Sequence, residues 1–239
     1  MPEGSIAAVA VSFLLGRGDK VSFSSYLPKH QYYNHPANKM FSGVEHQVVL
    51  SAILGDGCLI KANKRSYHRI TWNMGNELHA LHKLSLTQYL GCKYFAMENP
   101  GFGSEWHCLR TSCSPVLTMY ADKYGDSKGL KEGSGIASEL NDFGWAWYYG
   151  DDGHLSKTGE CFIHTEGKSP VMVREIQDAL GEFIGVGKVS VHSYVGGSKK
   201  RRMECLRVSK NATVKFHEKI VSHMANGMEY KILPDIRDK

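Results

Sequence analysis

Hydrophobic positions along the chain alternate between two spacings. Apolar residues recur every three to four positions over 44–54, 76–90, 114–124, 141–150, 169–184 and 211–224, which predicts helices. They alternate with polar residues over 58–62 and 67–73, over 93–98 and 106–111, over 154–157 and 160–165, and over 188–195 and 203–208, which predicts four β-hairpins. The punctuation agrees. Asn76, Ser114 (or Ser112), Asn141, Ser169 and Asn211 can accept from the first free N–H groups of a helix, and Pro115 and Pro170 suit a first helical position. Gly91 and Gly185 stop two of the helices. In the helix over 76–90 the expected buried stripe is Leu78, Leu81, Leu84, Leu86 and Leu90.

This order reads α-β-β-α-β-β-α twice. Cys108-Leu109-Arg110-Thr111-Ser112 stands 97 positions before Cys205-Leu206-Arg207-Val208-Ser209, and Leu90-Gly91 stands 94 before Ile184-Gly185. The offsets imply a duplicated unit. The chain divides into an arm (1–43), a first domain (44–124), a Gly/Lys/Ser-rich linker (125–137), a second domain (138–225) and an irregular tail (226–239). Each domain is expected to be an antiparallel sheet covered by helices on one face and polar or basic on the other.

Two stretches open the repeats: Val49-Leu50-Ser51-Ala52-Ile53-Leu54-Gly55-Asp56-Gly57 and Trp145-Ala146-Trp147-Tyr148-Tyr149-Gly150-Asp151-Asp152-Gly153. Each is an apolar run that stops at an acid followed by glycine, as a left-handed helix cap would require. A carboxylate at a helix C-terminus meets the negative end of the dipole and calls for a cation. Asp56 and Asp152 lie 96 positions apart, so duplication pairs them. Ser51 with Gly55, and Ala146 with Gly150, are small residues one turn apart that would let two such helices approach.

Charge sharpens the picture. The chain of 239 residues carries a formal net charge of +5, with a pI near 8.8, which favours an anionic partner. Lys61, Lys64, Arg65 and Arg69 crowd the first hairpin. Lys188, Lys199, Lys200, Arg201, Arg202, Arg207, Lys210 and Lys215 crowd the last, against one acid, Glu204. With Arg110 and Lys157 they are positioned to neutralise phosphates, while His68, Thr71, His164, Ser190, His192 and Tyr194 are expected to read base edges. Six cysteines form no CxxC pair, so reduced thiols in an intracellular protein are expected. The apolar run at 6–15 is too short to span a bilayer. His79 and His82 share a helix face, but no cysteine pattern accompanies them, so they are read as structural.

The two acid-ended stretches, in matching surroundings over about residues 44–224, resemble the motifs of a single-chain LAGLIDADG homing endonuclease. That resemblance implies an α+β fold of two pseudo-symmetric αββαββα domains, with antiparallel sheets forming a DNA-binding saddle. It implies that the motif helices pack as the interface between halves. It further implies a monomer that cuts both strands of a long double-stranded DNA target, in staggered fashion, with Mg²⁺ held by Asp56 and Asp152. Ca²⁺ would bind without supporting cleavage. Backbone groups at Gly55 and Asp151 would help hold the metal, and Lys210 would assist catalysis. Because Cys113 occupies the position equivalent to Lys210, two unequal active sites are expected. The same resemblance allows a second role, an intron RNA-binding splicing helper (maturase) without cleavage. A mitochondrial, chloroplast, prokaryotic or phage setting is left open.

Overall fold

The two motif runs become helices that cross at the centre of the molecule. α1 (Gly43–Leu54) is buried from Gln47 to Leu54, and α4 (Asp142–Asp152) from Gly144 to Gly150. Helices that are apolar on every side belong in a core. The structure is a computed structural model and describes residues 41, 43–61, 63, 67–98, 105–185, 189–196 and 201–238. The arm up to residue 40, Lys64, Arg65, Lys188, Lys199 and Lys200 lie outside the described residues, and the side chains of Arg201 and Arg202 are likewise not described.

Each half follows α1 or α4 with a four-stranded antiparallel sheet. In the first, β1 (Cys58–Lys61), β2 (His68–Met74), β3 (Lys93–Glu98) and β4 (Glu105–Arg110) lie in the order β1-β2-β4-β3. In the second, strand order repeats as β7-β8-β10-β9, formed by β7 (Gly153–Leu155), β8 (Cys161–His164), β9 (Val189–Gly196) and β10 (Arg201–Val208). Helices α2 (Glu77–Leu86) and α3 (Pro115–Tyr124) belong to the first half, α5 (Pro170–Ile184) and α6 (Lys210–Ile220) to the second. The α+β expectation and the doubled αββαββα order therefore hold. Asn76, Ser114, Asn141 and Ser169 accept from backbone N–H groups at the starts of α2, α3, α4 and α5. Asn211 does not cap: α6 begins at Lys210, after Ser209, so Asn211 is its exposed second residue.

Several expectations are corrected. The buried positions of α2 are His79, Ala80 and Lys83, while Leu78 is 59 % exposed. The helix turns its polar edge toward the other half because a buried carboxylate waits there. Gly57 and Gly153 are not left-handed: Gly153 has φ −91° and ψ 154°, and Gly57 lacks a positive φ. Their need for glycine is steric. A Cβ on Gly57 would stand 2.6 Å from the Ala52 carbonyl oxygen, and one on Gly153 2.0 Å from the Tyr149 ring. Segment 125–137 is a short β-ribbon, β5 (Gly125–Asp126) with β6 (Gly129–Leu130), followed by buried Ile136 and Ala137. Nor is 226–238 irregular. It forms a 3₁₀ turn, Glu229–Lys231, and a short helix α7 (Pro234–Arg237), with Met228, Ile232 and Ile236 in the core. No helix among the described residues is long and apolar enough to cross a membrane.

The helix crossing is held at its upstream end by Gln47 of α1. Its amide donates to the Glu139 carbonyl (2.9 Å) and accepts from the Asn141 N–H (2.9 Å), the entry of α4. A Cβ on Gly144 would lie 2.2 Å from Gln47 Oε1. Gly144, not Gly150, is thus the tight glycine on α4; a Cβ on Gly150 would stand 3.9 Å from His79 of α2. Gly144→Ala is expected to break the Gln47 bridge and destabilise the protein by about 1–3 kcal/mol, read as a lower urea midpoint at unchanged slope. Gly150→Ala should change stability by well under half of that.

Candidate metal and nucleic-acid site at the helix crossing

The acids gather at the downstream end of the crossing. α1 ends at Leu54; the N–H of Gly55 closes its last turn on Ser51 (2.8 Å), and Asp56 is the second residue past the helix. α4 runs on through Asp151 and Asp152. A Cβ on Gly55 would touch Asp151 Oδ2 at 2.8 Å, so the helix ends meet there. Asp56, Asp151, Gly150, His79, Asn73, Tyr230 and Lys231 line one cleft of 320 Å³.

The closeness has an electrostatic cost. Loss of water, then the charge of Asp151, raises the Asp56 carboxyl. The Asp152 carboxyl is pushed up to about 8, first by loss of water and further by Asp56, Asp151 and Glu166, with Lys168 opposing. Acids that resist ionisation this strongly are primed for a cation.

Three lysines answer the three acids. Lys83, fully buried on α2, donates to both oxygens of Asp151 at 2.5 and 2.7 Å. Lys231 donates to the Gly150 carbonyl (2.6 Å) and more distantly to that of Asp151 (3.4 Å). Lys168 lies 3.9 Å from Asp152 Oδ2, over the Tyr148 ring. Desolvation lowers both Lys168 and Lys231, while the neighbouring acids pull them back up. His79 is held down near 2 by burial and by Lys83, so its 3.5 Å approach to Asp151 joins a neutral ring to a carboxylate.

The predicted site residues divide accordingly. Asp56 and Asp152 lie near enough for the charge of Asp56 to raise the Asp152 carboxyl, although the acid that lines the cleft beside Asp56 is Asp151. Asp151 reaches the same place, but its carboxylate is spent on Lys83 and its carbonyl faces Lys231. Lys210 does not arrive: it is exposed at the start of α6, its stem against Gly159 of the β7–β8 turn. Lys231 and Lys168 stand where a lysine was expected. The only hint of Lys231 in the sequence is a lysine set among Met228, Ile232 and Leu233; that of Lys83 is its phase with His79 and Ala80. Ser51 and Ala146 are fully buried in their helices, the Ser51 hydroxyl donating to the Gln47 carbonyl of its own helix at 2.7 Å.

Strand register sorts the surface residues. Arg69, Thr71 and Asn73 point to the open face of the first sheet, with Lys93, Phe95, Met97, Trp106 and Arg110 on the neighbouring strands. His68 points the other way. It is buried and meets Thr118 Oγ1 at 3.1 Å, because it occupies the same side of β2 as Ile70 and Trp72. On the second sheet His154, Phe162, His164, Ser190, His192, Tyr194, Cys205 and Arg207 share the open face. Arg207 is held by Glu160 at 2.6 Å and Tyr194 by Glu166. Lys61 is exposed at the end of β1 and Lys157 in the β7–β8 turn. Among the described residues Phe95, Met97 and Trp106 are exposed apolar groups on the first sheet.

Similar architecture occurs in solved structures. The homing endonuclease I-WcaI bound to its DNA recognition sequence aligns over 92 % of this chain and 96 % of its own, with a TM-score of 0.69 and 13 % identity. I-DmoI in complex with DNA and calcium aligns over 80 % of this chain and 94 % of its own, with a TM-score of 0.50 and 17 % identity. The chain has the LAGLIDADG homing endonuclease fold. No protein-family model matches it, and no curated protein matches it in sequence.

Among the described residues no three His, Cys, Asp or Glu side chains form a ready-made metal cage. Two carboxylates that leave most positions to water and phosphate oxygen fit a hard divalent ion such as Mg²⁺ or Ca²⁺. Asp152 must lose its proton to act as a ligand. Ca²⁺ affinity is therefore expected to rise about tenfold per pH unit until pH approaches 8 and then to level. Stability without metal runs the opposite way. A carboxyl raised by folding contributes fully below its unfolded value near 3.8, and that contribution is lost as pH rises through about 8. Asp152→Asn should flatten both trends, measured by calorimetric titration and thermal unfolding across that range.

Proposed function

We propose that this protein is a metal-dependent DNA endonuclease of the homing type, working as a monomer that supplies both halves of its site. What supports the proposal is the gathering of acids where the ends of α1 and α4 meet: Gly55 packs on Asp151, Asp56 and Asp151 line one cleft, burial raises both Asp56 and Asp152, and the charge of Asp56 bears on Asp152.

Asp56 and Asp152 hold the divalent ion, with Mg²⁺ the expected species. The ion, when bound, supplies an activated water and offsets charge building on the phosphate. Lys231, beside the Gly150 carbonyl, and Lys168, beside Asp152, provide positive charge for the phosphates entering the site. The two lysines come from different contexts, one from the C-terminal 3₁₀ turn and one from the loop after β8. The two strands of a duplex are thus served by unequal surroundings.

The open faces read the target. Lys93, Arg110 and Arg69 engage phosphates or guanine edges on the first sheet, with Thr71, Phe95 and Met97 suited to thymine methyl groups. On the second sheet Ser190, His192, His164 and Tyr194 offer hydrogen bonds, and Arg207 joins them once it leaves Glu160. The two half-sites therefore differ in sequence, and the target is asymmetric.

The test is selection from a randomised duplex library in Ca²⁺, followed by addition of Mg²⁺. Staggered cuts in both strands are expected, abolished by Asp56→Asn or Asp152→Asn while binding persists. Binding should weaken steeply with salt, by on the order of 10³ or more between about 50 and about 200 mM, as several counterions are released. Folded protein that binds duplex but never cuts it would overturn the nuclease reading. Intron RNA binding that survives both substitutions would support the splicing-helper role instead.

A further inference from the structure

The second motif ends in two acids, and the one next to glycine is assigned to the metal. The other, Asp151, has a side chain only 1 % exposed at the downstream end of the crossing. Both its oxygens are taken by Lys83, whose own side chain is fully buried. The Lys83 ammonium sits 5.7 Å from the Trp72 ring of the first half and 5.3 Å from the Trp147 ring of the second. Gly55 completes the enclosure, because a Cβ there would meet both Oδ2 and Cβ of Asp151, at 2.8 and 3.0 Å. With the His79 ring 3.5 Å from Oδ1, these groups hold one carboxylate against one ammonium at the edge of the cleft.

We propose that Lys83 is a positioning residue for the divalent centre: by clamping Asp151 it keeps that carboxylate off the metal and leaves Asp56 and Asp152 as the ligands. This rests on the metal-binding reading above. Three free carboxylates at one point would draw an ion toward a dry interior away from phosphate. An Asp151 turned to the metal would strand a buried ammonium, which low-dielectric surroundings do not tolerate. The clamp joins α2 of the first half to α4 of the second, so it also fixes the rotation of the α4 end on which Asp152 is carried.

Ca²⁺ alone, titrated into the full-length protein by calorimetry, separates the possibilities. Asp151→Asn leaves a lone ammonium beside the acids and should weaken Ca²⁺ binding by about tenfold or more, with a lower melting temperature. Removing both charges, in Asp151→Asn with Lys83→Met, should return Ca²⁺ affinity to within about threefold of wild type. If the double variant stays as weak as the single one, Asp151 is itself a ligand and the proposal is wrong. If folded Asp151→Asn binds Ca²⁺ as the wild type does, the clamp does not act on the site. Wild-type crystals with Mn²⁺ provide a readout that needs no variant to fold. Anomalous scattering should place the ion on Asp56 and Asp152 with Asp151 still on Lys83; an ion bonded to Asp151 overturns the idea. Failure of the underlying reading looks different: Ca²⁺ binding would be missing from the wild type, or would survive Asp56→Asn.

Discussion

The molecule depends on one close crossing between two helices that are buried on nearly every side. Close approach brings packing energy, but it also forces every backbone and side-chain polar group at the contact to find a partner inside it. The two ends of the crossing solve this differently. Upstream, the Gln47 amide serves the other helix's entry by donating and accepting in one plane. Downstream, where both helices run out into acids, neutral hydrogen bonding is not enough, and three lysines drawn from α2, the β8–α5 loop and the C-terminal turn share the charge. The sheets, helices and terminal segment can all be understood as the frame that delivers these groups to one point.

That arrangement also explains why the site holds back its own acids. Taking a carboxylate out of water raises its proton affinity, and a second carboxylate raises it further. Asp152 feels both effects and stands near 8. The lysines lower this penalty without removing it, because they too are desolvated. The site is balanced near neutrality, and a doubly charged ion with its phosphate partners alters that balance more than any single proton does.

Local grammar was legible in the sequence wherever it was local. Asn76, Ser114, Asn141 and Ser169 announced helix starts, the alternating runs held Thr71, His164 and Ser190 as base readers whose face only the strand register fixes, and duplication paired Asp56 with Asp152. What could not be read depends on contacts across the halves. The leucines of α2 suggested one buried side, yet a lysine and a histidine occupy it, because Asp151 supplies a partner that only the folded chain reveals. Gly57 and Gly153 looked like left-handed caps; the surrounding side chains, not the dihedral, require them. Lys210 was favoured for its place in the repeat, whereas Lys231 lies where the repeat has already ended. His68 looked like a base reader until register put it on the side of Ile70.

The docking of Lys231 has a consequence for how the protein comes into being. A ribosome delivers Asp56 first, Asp152 roughly a hundred residues later, and this lysine only after another eighty or so. During that last interval both acidic segments have been made while the Gly150 carbonyl still lacks its cation. Vectorial synthesis thus leaves the centre electrostatically incomplete until the C-terminal turn, with its ammonium group, has been added.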